Sequence, residues 1–146
     1  MVFLVKLGQF LLSLSILIVL HEMGHFLVAR WNGVQVEVFS IGFGPEILGF
    51  NDSRGTRWKV SLVPLGGYVR FLGDTDSSSS KAAEVAPEMR GHAFASKRVW
   101  QRSAIVFAGP AANFLFAIIV FALVFMTIGR PFTPAVVDSV SEARGE

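Results

Sequence analysis

The stretch LGQFLLSLSILIVLHEMGHFLVAR, residues 7–30, decides the fold. It is almost unbroken apolar sequence from Leu7 to Leu20. His21, Glu22 and His25 follow, and Phe26, Leu27, Val28 and Ala29 restore the apolar run before Arg30. A helix crossing about 30 Å of hydrocarbon needs about 20 apolar residues. Leu7–Leu20 is too short alone, so a span must continue through the polar trio to Ala29. A cleaved signal peptide would also begin with Lys6 and an apolar run. It would end at a small-residue cleavage site, not in His, Glu and His.

The polar trio has the spacing His-Glu-x-x-His. Residues i and i+4 share one helix face, one turn apart. His21 and His25 can therefore aim ring nitrogens at one zinc ion at about 2.0–2.1 Å. Glu22 lies on the flank of that face, placed to take a proton from a water and pass it to a leaving amine. Gly24 is expected to leave the helix surface open for a substrate backbone. The spacing arises by chance in about one chain of this size in a few hundred, at average composition. The membrane makes chance a poorer explanation, because each ionisable group at mid-span costs about 2.5–3.5 kcal/mol. A haem site would take its histidines from different helices and leave Glu22 without a role. A proton relay or metal transporter is another rival.

Outward from the motif, the chain keeps a membrane composition. Of its 146 residues, 52% are hydrophobic and 16% charged, against about 25% charged in a soluble domain. Residues 103–129 contain no charge at all and form a second span. The formal net charge of +2 and the absence of a basic-aromatic motif argue against a nucleic-acid partner. Cysteine is absent, so a metal must be held by His, Asp or Glu. Arg30, Lys97, Arg98 and Arg102 flank the connecting region, against Lys6 and Arg130 outside it. That bias puts residues 30–102 in the cytoplasm.

The connecting region alternates apolar and polar residues over 34–41 and again over 56–65, as strands do. Asn51-Asp52-Ser53-Arg54-Gly55 supplies turn formers between them, and Gly42-Phe43-Gly44-Pro45 is expected to end the first strand. A β-hairpin or small sheet is expected. Residues 73–91, with four consecutive serines, read as a flexible linker. A catalytic zinc takes three protein ligands. Asp52, Asp74 and Asp76 lie in loops, Asp138 lies beyond the second span, and the second span has no acidic residue. The third ligand is expected outside this chain. His92 sits in a polar loop and is not expected to bind metal.

Taken together, several segments resemble the site-two protease family (peptidase family M50), of the bacterial regulator-of-sigma-E type. They are His21-Glu22-Met23-Gly24-His25 with Ala29-Arg30; Phe39-Ser40-Ile41-Gly42-Phe43-Gly44; Val63-Pro64-Leu65-Gly66-Gly67-Tyr68-Val69; His92-Ala93-Phe94; and Ala108-Gly109-Pro110 with Asn113-Phe114. The resemblance implies a mainly α membrane protein whose two transmembrane helices belong to a larger bundle. It implies Zn²⁺ held by His21 and His25, Glu22 as catalytic base, and the third ligand on a later span of the remaining C-terminal part. It also implies substrate contact by Gly42, Phe43 and Gly44 on a membrane-associated hairpin, and by Asn113. Without it, Gly42 and Gly44 read as an ordinary turn, and Asn113 equally well as a helix-helix contact. Gly109-Pro110 is read as a kink or a site of close packing.

The resulting layout has helix one at 5–29, the hairpin region at 30–72 and a linker and approach at 73–102. Helix two follows at 103–129, and the opening of a periplasmic PDZ domain at 130–146. The expected activity is intramembrane zinc endopeptidase, acting on single-span membrane proteins such as an anti-sigma factor or remnant signal peptide. The site is expected in the bacterial inner membrane, with the N-terminus and residues 130–146 periplasmic. As an N-terminal portion, the chain is expected to be inactive alone. The rival from another class is a non-catalytic membrane scaffold that keeps the metal motif.

Overall fold

The computed structural model describes residues 1–74 and 85–129. Most of the serine-rich linker, Asp76, Asp138 and the expected PDZ opening lie outside the described residues.

Two long helices frame the molecule: α1, Val2–Trp31, and α2, Val99–Thr127. Each is long and apolar enough to cross a membrane. At 1.5 Å per residue, thirty residues reach about 45 Å, beyond the hydrocarbon core alone. Four of the five phenylalanines of α2, Phe107, Phe114, Phe121 and Phe125, are exposed. In water this would be an aggregating surface, whereas lipid tails cover it without cost.

The end of α1 is built from local chemistry. Gly33 adopts φ 69°, which a side chain would resist. Its N–H donates to Arg30 O, and the Val34 N–H reaches back to Ala29 O. This paired arrangement satisfies the last helical carbonyls. The Asn32 side chain adds a bond to Val28 O and accepts one from Gln101 Nε2. Gln101 also receives the Arg98 N–H at the start of α2. The C-terminal end of α1 is thus tied to the N-terminal end of α2, and the helices run antiparallel. Arg30, Lys97, Arg98 and Arg102 gather at that shared end.

Between the helices in the chain comes a hairpin of β1, Val36–Asn51, and β2, Arg57–Phe71. Both strands are longer than the alternation predicts. Gly42-Phe43-Gly44-Pro45 does not end β1 but bends it, with Gly42 at φ 90° and Gly44 at φ 89°. Because of the bend, Ile41 pairs with Gly67 and also with Val60. The stretch Val38–Ile41 is therefore bordered on both sides, by Gly67–Arg70 running antiparallel and by Arg57–Val60. A buried Ser40–Ser61 hydroxyl contact of 3.2 Å and a Thr56 Oγ1 bond to Val36 O pin the folded-back layers.

The packed core sits at the Arg30 end. Phe26 and Ala29 from α1, Val34, Val36 and Phe39, and Ile105 from α2 are buried together. Phe26, Phe39 and Trp58 meet with ring centroids 4.5–5.5 Å apart. This cluster fixes the hairpin against both helices and so sets where β2 runs along α1. Two short 3₁₀ turns, Pro87–His92 and Phe94–Ser96, close the base through Gln35 N–H to His92 O and Phe94 N–H to Leu72 O. His92 Nδ1 lies 3.1 Å from Gly33 O, a structural contact far from the other histidines in sequence and role.

Candidate metal centre and active site

His21 and His25 stand one turn apart on α1, with ring centroids 4.8 Å apart and planes nearly perpendicular. Both face α2. His25 Nδ1 lies 2.7 Å from Ile105 O. A carbonyl only accepts, so Nδ1 carries the proton and Nε2 keeps its lone pair. His21 Nδ1 lies 3.5 Å from the Asn113 side-chain amide. Ile105, Gly109 and Asn113 are spaced by four and line one face of α2.

Gly109 shows where the imidazoles aim. A Cβ there would fall onto His25 Nε2 and stand 2.7 Å from His21 Nε2. Both Nε2 atoms therefore converge on a space that exists because residue 109 has no side chain. Two lone pairs converging on one cradle, with the opposite nitrogen of His25 locked by a carbonyl, fit the His donor set of zinc. Among the described residues no group of three His, Asp or Glu side chains forms a complete ligand set. Asp52 is held at the Arg30 end by a 2.8 Å ion pair, and Asp74 follows β2.

Gly24 does not serve as an open approach. It is buried, and a Cβ there would meet the main chain of Ala108 and the Ala112 side chain, the latter at 2.9 Å. Its role is to let α1 and α2 touch. The opening beside the imidazoles comes instead from Gly109, and α2 continues unbroken through Pro110. The close approach belongs to Gly109, which is buried against the imidazoles, while Pro110 is exposed.

The Glu22 side chain leaves α1 toward the hairpin. A Cβ on Gly67 would lie 3.3 Å from Glu22 Cγ, 3.4 Å from Ile18 and 2.8 Å from Ser40 O. Ser15 Oγ donates to Pro64 O at 3.2 Å, so Pro64–Gly67 runs along α1 from Ser15 to Glu22. The Glu22 side chain thus starts out alongside Gly67 of β2, next round the helix from His21. Gly42, Phe43 and Gly44 stand one strand further off, because Gly67 borders Glu22 and Ile41 pairs with Gly67. Gly42 packs against the Ser61 and Val63 carbonyls, Gly44 is open, and half-exposed Phe43 covers Gly66 and stacks on Tyr68.

The structure brings His21, His25 and Asn113 together over Gly109, and sets Glu22, the next residue round α1 from His21, against Gly67 of the hairpin. Sequence reasoning gave no role to Gly67 or the Ile105 carbonyl. Gly67 lies within the Pro-Leu-Gly-Gly-Tyr segment already singled out, which was the available signal. A main-chain carbonyl leaves none.

Comparison with known proteins gives the family. The model of peptidase family M50 matches residues 9–145. A protein of Rhizobium meliloti (strain 1021), whose name marks it as a predicted zinc metalloprotease, is 48% identical over 145 residues. The match covers 93% of this chain and 39% of that protein. Regulator of sigma-E protease RseP of Escherichia coli (strain K12) is 48% identical over 139 residues, covering 95% of this chain and 29% of that protein. RseP of Salmonella typhimurium (strain 14028s / SGSC 2262) is also 48% identical, over 136 residues, with 29% of its length covered. The chain spans between 29% and 39% of the length of these relatives. Paired imidazoles over Gly109, an acidic flank and a match over nearly the whole sequence lead to one conclusion: the chain belongs to peptidase family M50.

Proposed function

We propose that this chain carries the zinc-binding and proton-transferring part of an intramembrane metalloendopeptidase that cleaves transmembrane segments of single-span membrane proteins. One observation carries the reading: two Nε2 atoms converge over Gly109 within two spans, and Glu22 is on the adjacent flank. No purely structural need explains two imidazoles and a carboxylate at that depth.

His21 and His25 would hold the ion, and a third ligand would come from the remaining C-terminal part of the protease. Zinc, when bound, supplies Lewis acidity toward a water and toward the scissile carbonyl. Glu22 takes a proton from the attacking water as its oxygen bonds to the carbonyl carbon. It then delivers that proton to the amide nitrogen as the C–N bond breaks. A helical substrate hides its carbonyl in hydrogen bonds and must unwind before attack. Exposed Leu62, Val63 and Leu65 on β2, leading to Gly67 beside Glu22, offer an edge along which an extended segment can lie. Gly42, Phe43 and Gly44 would support that edge from the neighbouring strand.

The shared cationic end of the helices supports a cytoplasmic side for residues 30–102 and a periplasmic N-terminus and residues 130–146 in a bacterial inner membrane. Two relatives are named regulator of sigma-E protease, which supports a role in sigma-factor regulation; the substrate proposed is an anti-sigma factor, with a remnant signal peptide as the other class.

The test is Glu22→Gln in the intact protease, with a single-span anti-sigma factor lacking its periplasmic domain. Substrate should still bind and zinc should remain, while cleavage stops. Undiminished cleavage removes Glu22 as the proton carrier on which this reading rests. Undiminished cellular function without cleavage selects the scaffold.

A further inference from the structure

Asn113 stands at the imidazole pair but its expected partner is a substrate. The local geometry points elsewhere. Its Nδ2 lies 3.5 Å from His21 Nδ1, at the outer limit of a hydrogen bond. Its Oδ1 is buried with no hydrogen-bond partner. A buried amide oxygen left unpaired costs about 1–3 kcal/mol. The two ends of a carboxamide have nearly the same shape, and which one faces a neighbour follows from the hydrogen-bond network.

That network has a definite demand at His21. Its Nε2 converges with His25 Nε2 over Gly109. To offer Nε2 as a lone pair, neutral His21 must keep its proton on Nδ1. An Asn113 N–H facing Nδ1 would require the opposite tautomer, with a proton aimed into the metal space. Turning the amide by 180° resolves both problems at once. The orphaned Oδ1 then accepts the Nδ1 proton, and Nε2 is free.

We propose that Asn113 is a positioning residue for the metal: its side-chain oxygen accepts the His21 Nδ1 proton and so presents Nε2 to zinc. It does for His21 what the Ile105 carbonyl does for His25. Residues 105 and 113 then form the outer support of both ligands, one turn to either side of the Gly109 opening. Such outer partners fix ring orientation and tautomer, and their loss costs about 10- to 100-fold in metal affinity. The inference rests on the zinc reading of His21 and His25.

The experiment is zinc affinity of the intact protease in detergent, by competition with a chromophoric chelator, with no substrate present. Asn113→Leu should weaken zinc binding by about 10- to 100-fold. Asn113→Ala, which removes the same oxygen without a branched side chain, should do the same and covers the case in which Leu disturbs folding. Asn113→Asp keeps the acceptor, loses the amide donor and should bind near the parent's affinity. Unchanged affinity in the Leu and Ala forms overturns the proposal and leaves Asn113 to substrate or packing. An Asp form as weak as Leu also overturns it, because the donor would then be what matters. If the parent binds no zinc, or His21→Ala binds equally well, the metal-centre reading fails and takes this inference with it.

Discussion

His25 Nδ1 lies 2.7 Å from the main-chain oxygen of Ile105, so α2 sets the tautomer of a residue on α1. The relationship ties helix packing to chemistry. Whatever separates the two helices also releases the imidazole.

Gly24 and Gly109 are two points where the helices come close, and they predict different losses. Gly24→Ala places a methyl against the Ala108 main chain. Overpacking of this kind costs about 1–3 kcal/mol, so thermal unfolding in detergent should shift down. Gly8→Ala, at a position inside α1 with nothing within 4 Å, is the matched control and should not shift down, because alanine favours the helix. Equal stability of the Gly24 and Gly8 variants would contradict this packing.

Gly109→Ala fills the space on which both Nε2 atoms converge. Zinc affinity should fall by at least about 10-fold, with the helical circular dichroism retained. Parent-like zinc binding in a folded Gly109→Ala protein would place the metal elsewhere.

Much of this was legible in the sequence, but unevenly. His21, Glu22 and His25 could be read because the helical repeat alone puts i and i+4 on one face. The two spans follow from hydropathy. The strands were read too short, because Gly42 and Gly44 look like a stop when they are a bend inside a continuous strand. Gly24 was misread as an opening, since a missing side chain looks the same whether it admits a substrate or a neighbouring helix. Only the position of Ala108 decides. Ile105 was invisible for a related reason: its carbonyl acts, and every residue has one.

Gly67→Ala tests the approach of β2 to Glu22. The added methyl would crowd Ser40 O at 2.8 Å and Glu22 Cγ at 3.3 Å. Cleavage should fall while zinc content stays constant. A loss of zinc in step with activity would show instead that the hairpin supports the imidazoles.

Asp52, outside the spans, predicts a pH dependence. Burial alone would raise its pKa, but the Thr56 and Arg54 N–H groups outweigh this, with the Arg30 and Trp58 side chains, and hold it at about 2 against an ordinary 3.8. A carboxyl with a lowered folded-state pKa stabilises the fold above its unfolded value. That stability is lost as pH falls toward the folded value. The parent should therefore be more stable than Asp52→Asn at neutral pH, and the gap should close between about pH 4 and pH 2. A gap of equal size at pH 7 and pH 2 would show that the carboxylate charge does not hold the hairpin turn to Arg30.

The most direct measurement is the zinc content of the purified intact protease beside its His21→Ala and His25→Ala forms. One zinc per chain in the parent, lost from both variants while their helical content is kept, is the predicted result. Zinc retained at the same stoichiometry in either variant would contradict a metal held between α1 and Gly109.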